Sequence, residues 1–135
     1  LLVKGILVAE DALLALANGA DGVVVSNHGG RQLDGAPSSI RVLPEIVAAV
    51  GSKTEIHLDG GIRSGQDILK AVALGAKSTY IGRAFLYGLG AGGEAGVTRV
   101  LEIIRKEMDI TMALCGERDI RNIGAHTIYQ NKLVG

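Results

Sequence analysis

Two rhythms of apolar and polar positions alternate along this chain. Short apolar runs end in glycine, and longer stretches space their apolar residues three and four apart. Leu1-Leu2-Val3-Lys4-Gly5-Ile6 predicts a first strand, and Glu10 to Ala17 a helix stopped by Asn18-Gly19. Gly22-Val23-Val24-Val25-Ser26 predicts a second, buried strand. Pro37-Ser38-Ser39 opens a helix that extends to about Val50, with a turn or kink near Pro44. Glu55-Ile56-His57-Leu58-Asp59 predicts a third strand. Ser64 caps the next helix, with Asp67 as its capping-box acid, and that helix ends at Leu74-Gly75. Thr79-Tyr80-Ile81 predicts a fourth strand ending at Gly82-Arg83. Gly88 to Gly93 reads as a flexible linker, and a last helix covers Glu94 to Met108.

The pattern repeats. Gly19 to Ser26 resembles Gly75 to Gly82, each reading as helix end, turn, strand and polar tip. Such an echo suggests strand–helix units of about 30 residues. Four of them, with a C-terminal helical segment, make an α/β fold that is half of a (β/α)8 TIM barrel. A doubly wound open sheet is the rival. The barrel predicts chemistry at the C-terminal end of every strand. Those ends carry Lys4, then His28 with Arg31, then Asp59 to Arg63, then Gly82-Arg83.

Composition narrows the picture. With 135 residues the chain is long enough for one domain, spanning 1–135. Lys+Arg and Asp+Glu are both 14, which argues against a nucleic-acid partner held by phosphate neutralisation. Cys115 is the only cysteine, so no internal disulfide forms and a reducing, cytoplasmic setting is the simpler expectation. No apolar run is long enough for a spanning helix. The chain lacks an initiating Met and opens inside a predicted strand, so it reads as a fragment of a longer protein.

Ser26-Asn27-His28-Gly29-Gly30-Arg31 directly follows an apolar strand. It sets a base suited to neutral pH beside a planar fork that grips carboxylate or phosphate. The plain alternative for His28 is a turn histidine. Asp59-Gly60-Gly61-Ile62-Arg63 and Gly82-Arg83 each join a strand to a helix, where backbone N–H groups favour an anion. Consecutive strand ends of this kind suit one shared phosphate. The alternative is two tight turns with solvated arginines. Lys4 either points into a site or lies at the surface. His57 reads as an interior residue, His126 as part of a polar tail and Cys115 as structural. The histidines lack metal-ligand spacing, so no metal is expected.

On Ser-Asn-His-Gly-Gly-Arg-Gln-Leu-Asp (26–34), Leu58 to Arg63 and Ile81-Gly82-Arg83-Ala84, the chain resembles the C-terminal half of the FMN-dependent 2-hydroxy acid dehydrogenases and oxidases. This family includes L-lactate dehydrogenase (cytochrome), glycolate oxidase and mandelate dehydrogenase. The resemblance runs from Lys4 to about Ile128 and implies FMN as cofactor. It implies that Lys4 contacts the N1–C2=O edge of the flavin and that Ser26 also touches it. His28 is then the general base, and Arg31 holds the substrate carboxylate. Asp59, Gly60, Gly61, Ile62, Arg63, Gly82 and Arg83 bind the ribityl phosphate.

The resemblance also implies a small 2-hydroxy acid substrate. Phe85 to Gly90 and Glu94 to Val97 look most like bacterial lactate dehydrogenases, which points to L-lactate. The resemblance implies quinone, cytochrome or oxygen as the electron acceptor, and a homotetramer for the full-length protein. It further implies a cytoplasmic location, or a peripheral one on the inner membrane face through an upstream loop. The family's first four barrel strands have no counterpart here, so the chain alone is expected to fold poorly, self-associate or bind FMN weakly, and to be inactive. Two other readings stay open: a different phosphate-binding FMN barrel such as an isoprenoid diphosphate isomerase, and a truncated product without catalysis.

Overall fold

The computed structural model describes residues 1–129. Its strands are β1 (Leu2–Ile6), β2 (Gly22–Ser26), β3 (Glu55–Asp59) and β4 (Ser78–Tyr80). Its helices are α1 (Ala9–Ala17), α2 (Ser39–Val50), α3 (Gly65–Ala73) and α4 (Arg83–Leu114). Single 3-10 turns occur at His28–Gly30, Ile120–Asn122 and Ala125–Thr127.

All strand pairs are parallel, and the order across the sheet is β1-β2-β3-β4. Each strand therefore lies beside its successor, and the sheet never reverses direction. Right-handed crossovers in such an order stack every helix on one face. That is the winding of a barrel; a doubly wound sheet needs a reversal point. The chain is a partial (β/α) barrel of four units, and both β1 and β4 are left with a single neighbour.

Cross-strand register fixes which residues share a face. Val23 pairs with Ile56, and Val25 with Leu58. These four are buried against Leu43, Ile46 and Val50 of α2. The spacing 43, 46, 50 is one stripe of an amphipathic helix. Each fully buried side chain of this size contributes about 1.5–3 kcal/mol. The opposite face, the barrel interior, carries the row Lys4, Val24, His57 and Ser78, with Ser26, Asp59 and Tyr80 one step further along their strands.

Two local expectations need correction. Pro44 does not interrupt α2, which runs unbroken from Ser39 to Val50. The ring sits on the exposed side, where water can satisfy the carbonyl it frees. The Gly88–Gly93 segment is not a linker, because α4 begins at Arg83 and only Gly92 and Gly93 leave helical geometry. The two arms cross so closely that a Cβ on Gly96 would lie 1.9 Å from the Gly88 carbonyl oxygen. Gly88, which resembles part of a linker in sequence, is there to let two backbones touch.

Candidate active site

Every residue singled out for chemistry, except Ser26, lines one cleft of about 220 Å³ at the C-terminal ends of the strands. Ser26 lies directly beneath it. A larger groove of about 750 Å³ runs under the opposite end of the sheet, between Val47, Ile56, Lys77 and Arg121. None of the singled-out groups faces that groove.

The floor of the cleft is a compact polar network. The Lys4 ammonium lies 3.0 Å from the Asp59 carboxylate and donates to the Ser26 hydroxyl at 3.1 Å. Ser26 donates to the same carboxylate oxygen of Asp59 at 2.6 Å. Burial pulls the Asp59 carboxyl upward as the largest single influence. The Ser26 hydroxyl, the Lys4 ammonium and the nearby His28 together outweigh it, so the group titrates below the ordinary carboxylate value. Asp59 is thus an ionised acceptor. It cannot hold a phosphate, and its contacts turn it toward Lys4.

His28 opens the 3-10 turn just past β2, with φ of 55°. Asn27 builds that turn: its side-chain oxygen accepts from Gly29 N at 3.0 Å, and its amide donates to the Pro37 carbonyl at 3.2 Å. The Asn27 backbone N–H donates to Ser39 Oγ at 3.2 Å. Gly60 leaves room for this arrangement, because a Cβ there would come within 3.1 Å of both the Asn27 oxygen and Ser39 Oγ. The N–H of His28 donates to Ser26 Oγ at 3.1 Å, tying the imidazole's backbone to the polar floor. His28 and Arg31 are both exposed at the cleft.

Two helix N-termini approach the cleft, and they are not equivalent. The start of α3 is already occupied by carboxylates. Ser64 and Asp67 form the predicted capping box, and the Gly65 N–H donates to Glu107 of α4 at 3.0 Å. The start of α4 has no side-chain cap. Its positive end, Gly82 and Arg83 stand opposite Gly61 and Arg63. An anion fits at α4, whereas α3 would repel one. Sequence reasoning gave both turns equal weight, since Glu107 lies 42 residues from Gly65.

Some neighbours were not foreseen. Tyr80 and Leu86 also line the cleft. Arg83, expected only near the phosphate, donates from Nη2 to the Gly29 carbonyl at 3.1 Å and so joins the α4 end to the His28 turn. His57 is interior as expected, with Nδ1 2.6 Å from Ser78 Oγ. His126 lies 2.7 Å from a Glu117 oxygen. Cys115, expected to be structural, is an exposed free thiol at the end of α4.

The profile of the FMN-dependent dehydrogenases matches residues 1–130. The chain belongs to this family. FMN is the family's cofactor, and 2-hydroxyacid oxidase 1 of Mus musculus is 51% identical over 133 residues, 98% of this chain and 36% of that protein. L-lactate dehydrogenase of Caulobacter vibrioides is 57% identical over 123 residues, 91% of this chain and 32% of that one. Among solved structures, the monotopic membrane protein (S)-mandelate dehydrogenase superposes with a TM-score of 0.92 at 50% identity, over 97% of this chain and 34% of that chain. This member of the family spans about a third of the length of these relatives. No described helix is long and apolar enough to cross a membrane.

The residues present fit FMN. Its phosphate is a dianion that calls for an uncapped helix start flanked by cations, as at Gly82-Arg83 with Arg63. Its reduced ring carries negative charge that the Lys4 ammonium at the floor can offset.

Proposed function

We propose that this chain is the C-terminal half of the barrel domain of an FMN-dependent oxidoreductase that converts an L-2-hydroxy acid, L-lactate first among them, to the 2-oxo acid. One observation carries the reading. An imidazole, a guanidinium, a paired ammonium and an uncapped helix start converge on a single cleft.

The reaction removes two electrons and two protons from the substrate. FMN, when bound, would supply the acceptor for the two electrons and one of the protons. The chain's own residues do the rest. Arg31 takes the substrate carboxylate, which its planar fork suits. His28 accepts a proton from the substrate and holds it on the imidazole. Lys4, fixed by Asp59 and Ser26, would offset the negative charge that the bound flavin takes up. Gly61, Gly82, Arg63 and Arg83 hold the phosphate, and Ile62, buried beneath them, anchors that loop to the core. The carboxylate of Asp59 accepts from Ser26, pairs with Lys4 and repels phosphate.

The relatives carry both oxidase and dehydrogenase names, so an assay includes oxygen and an artificial quinone as acceptors. The test is turnover by the FMN-loaded protein, in which this chain is joined to the N-terminal half of the barrel, on L-lactate, D-lactate, glycolate and mandelate. Turnover of L-lactate above the others supports the reading. Turnover of none of them overturns it.

A further inference from the structure

We propose that Gly5 is a positioning residue for His28, through the left-handed bulge that it makes beside the imidazole at the end of β1. The proposal rests on the reading of His28 as the base.

The register of β1 on β2 breaks at one place. Lys4 lies opposite Val24 and Ile6 opposite Val25, so Gly5 is an extra residue with no partner. Such a bulge reverses the alternation of faces beyond it. Lys4 and Ile6 would otherwise share a face. The bulge instead leaves Lys4 in the polar interior and sends Ile6 into the apolar core beside Val25. Gly5 adopts a φ of 100°, which side-chain-bearing residues rarely accept.

The side of Gly5 that lacks a Cβ faces His28. A Cβ there would stand 3.7 Å from His28 Cε1 and 3.9 Å from Nδ1. The imidazole edge therefore faces the bulge at a distance that leaves room for a methyl group, while the His28 backbone N–H donates to Ser26 Oγ. Among the described residues, His28 is the one non-glycine with positive φ. Its backbone is fixed by the polar floor, and its ring faces the bulge. A side chain at position 5 is strained by the φ of 100°, and the backbone shift that relieves the strain moves the bulge and the new Cβ relative to the ring.

The experiment compares Gly5→Ala, Gly5→Val and His28→Ala in the FMN-loaded protein. It follows the reductive rate per bound flavin, KM, the pH profile and the isotope effect with 2-deuterated substrate. In parallel, NMR of histidine labelled at Cε1 follows His28, His57 and His126. The expected result is a rate per flavin lowered about 100-fold, as for an ångström-scale misplacement of a reacting group. KM and flavin retention stay near wild type, and only the His28 signal shifts. A Gly5→Ala protein with wild-type rate, pH profile and His28 signal overturns the proposal. Should both Gly5 variants fail to fold, the wild-type protein still decides: a nuclear Overhauser contact between Gly5 Hα and His28 Hε1 supports the seat, and its absence overturns it. If His28→Ala keeps full activity, the base assignment fails, while the NMR result still decides whether Gly5 seats the ring.

Discussion

Ser26 donates to Asp59 at 2.6 Å while accepting from Lys4 at 3.1 Å, so one hydroxyl from β2 joins a cation on β1 to an anion on β3. Ser26 is fully buried, so the network forms only when all three strands are in register. Asp59 titrates below its ordinary value, and its contribution to stability follows from the sign of that shift. The contribution is complete above the unfolded value of 3.8 and is lost as pH falls through the lower folded value. Thermal melts from pH 7 down to 2 should show stability falling only below about pH 4 for this group. Asp59→Asn should flatten part of that fall. An acid limb unchanged by the substitution contradicts the assignment.

Gly65 marks the crossing of α3 and α4. A Cβ there would lie 2.0 Å from Met108 N and 2.5 Å from the Ile104 oxygen. Gly65→Ala must push α3 from α4 and should cost about 1–3 kcal/mol, the usual range for overpacking. The cleft depends on α4 through Arg83, so flavin retention should weaken with stability. Denaturant titration monitored by circular dichroism measures it.

Arg83 serves two ends of the site. Its guanidinium holds the Gly29 carbonyl and stands at the uncapped start of α4. Arg83→Lys keeps the charge but loses the fork. We expect FMN affinity to fall about 10- to 100-fold, the worth of one charge-assisted hydrogen bond at about 1.5–3 kcal/mol. Flavin fluorescence titration reads it directly. Unchanged affinity would show that Arg83 acts only on the loop.

Much of this was legible because it is local. The Gly22–Ser26 strand, the Ser64–Asp67 capping box and the His28 turn depend on residues within a few positions of one another. The remainder was not legible because it is made at long range. Arg83 reaches Gly29 across 54 positions, and Glu107 caps a helix that begins 42 positions earlier. Gly88 suggested a linker because its purpose, backbone contact with Gly96 between two helical arms, exists only in three dimensions. The bulge at Gly5 left no trace in an apolar run that otherwise reads as one strand.

The sheet has two open edges, at β1 and β4. Leu1, Leu2, Leu86, Tyr87 and Leu89 are exposed, and unpaired strand edges with apolar neighbours invite association. The cleft of about 220 Å³ is also smaller than the roughly 300–1,000 Å³ of sites that enclose a ligand. The 135-residue chain by itself should therefore self-associate and hold FMN weakly. Gel filtration with light scattering and an absorbance ratio for flavin tests both. A monodisperse monomer retaining stoichiometric FMN contradicts this expectation.

The most direct test of the central claim is a single anaerobic turnover. The FMN-loaded protein is mixed rapidly with L-lactate, and the oxidised flavin absorbance is followed for wild type and His28→Ala. Proton transfer by a positioned side chain contributes about 100- to 10,000-fold, so bleaching should be rapid in wild type and slowed by that factor in the variant, with flavin content unchanged. Equal bleaching in both proteins would contradict His28 as the base. Bound flavin that no 2-hydroxy acid bleaches would contradict the proposed reaction itself.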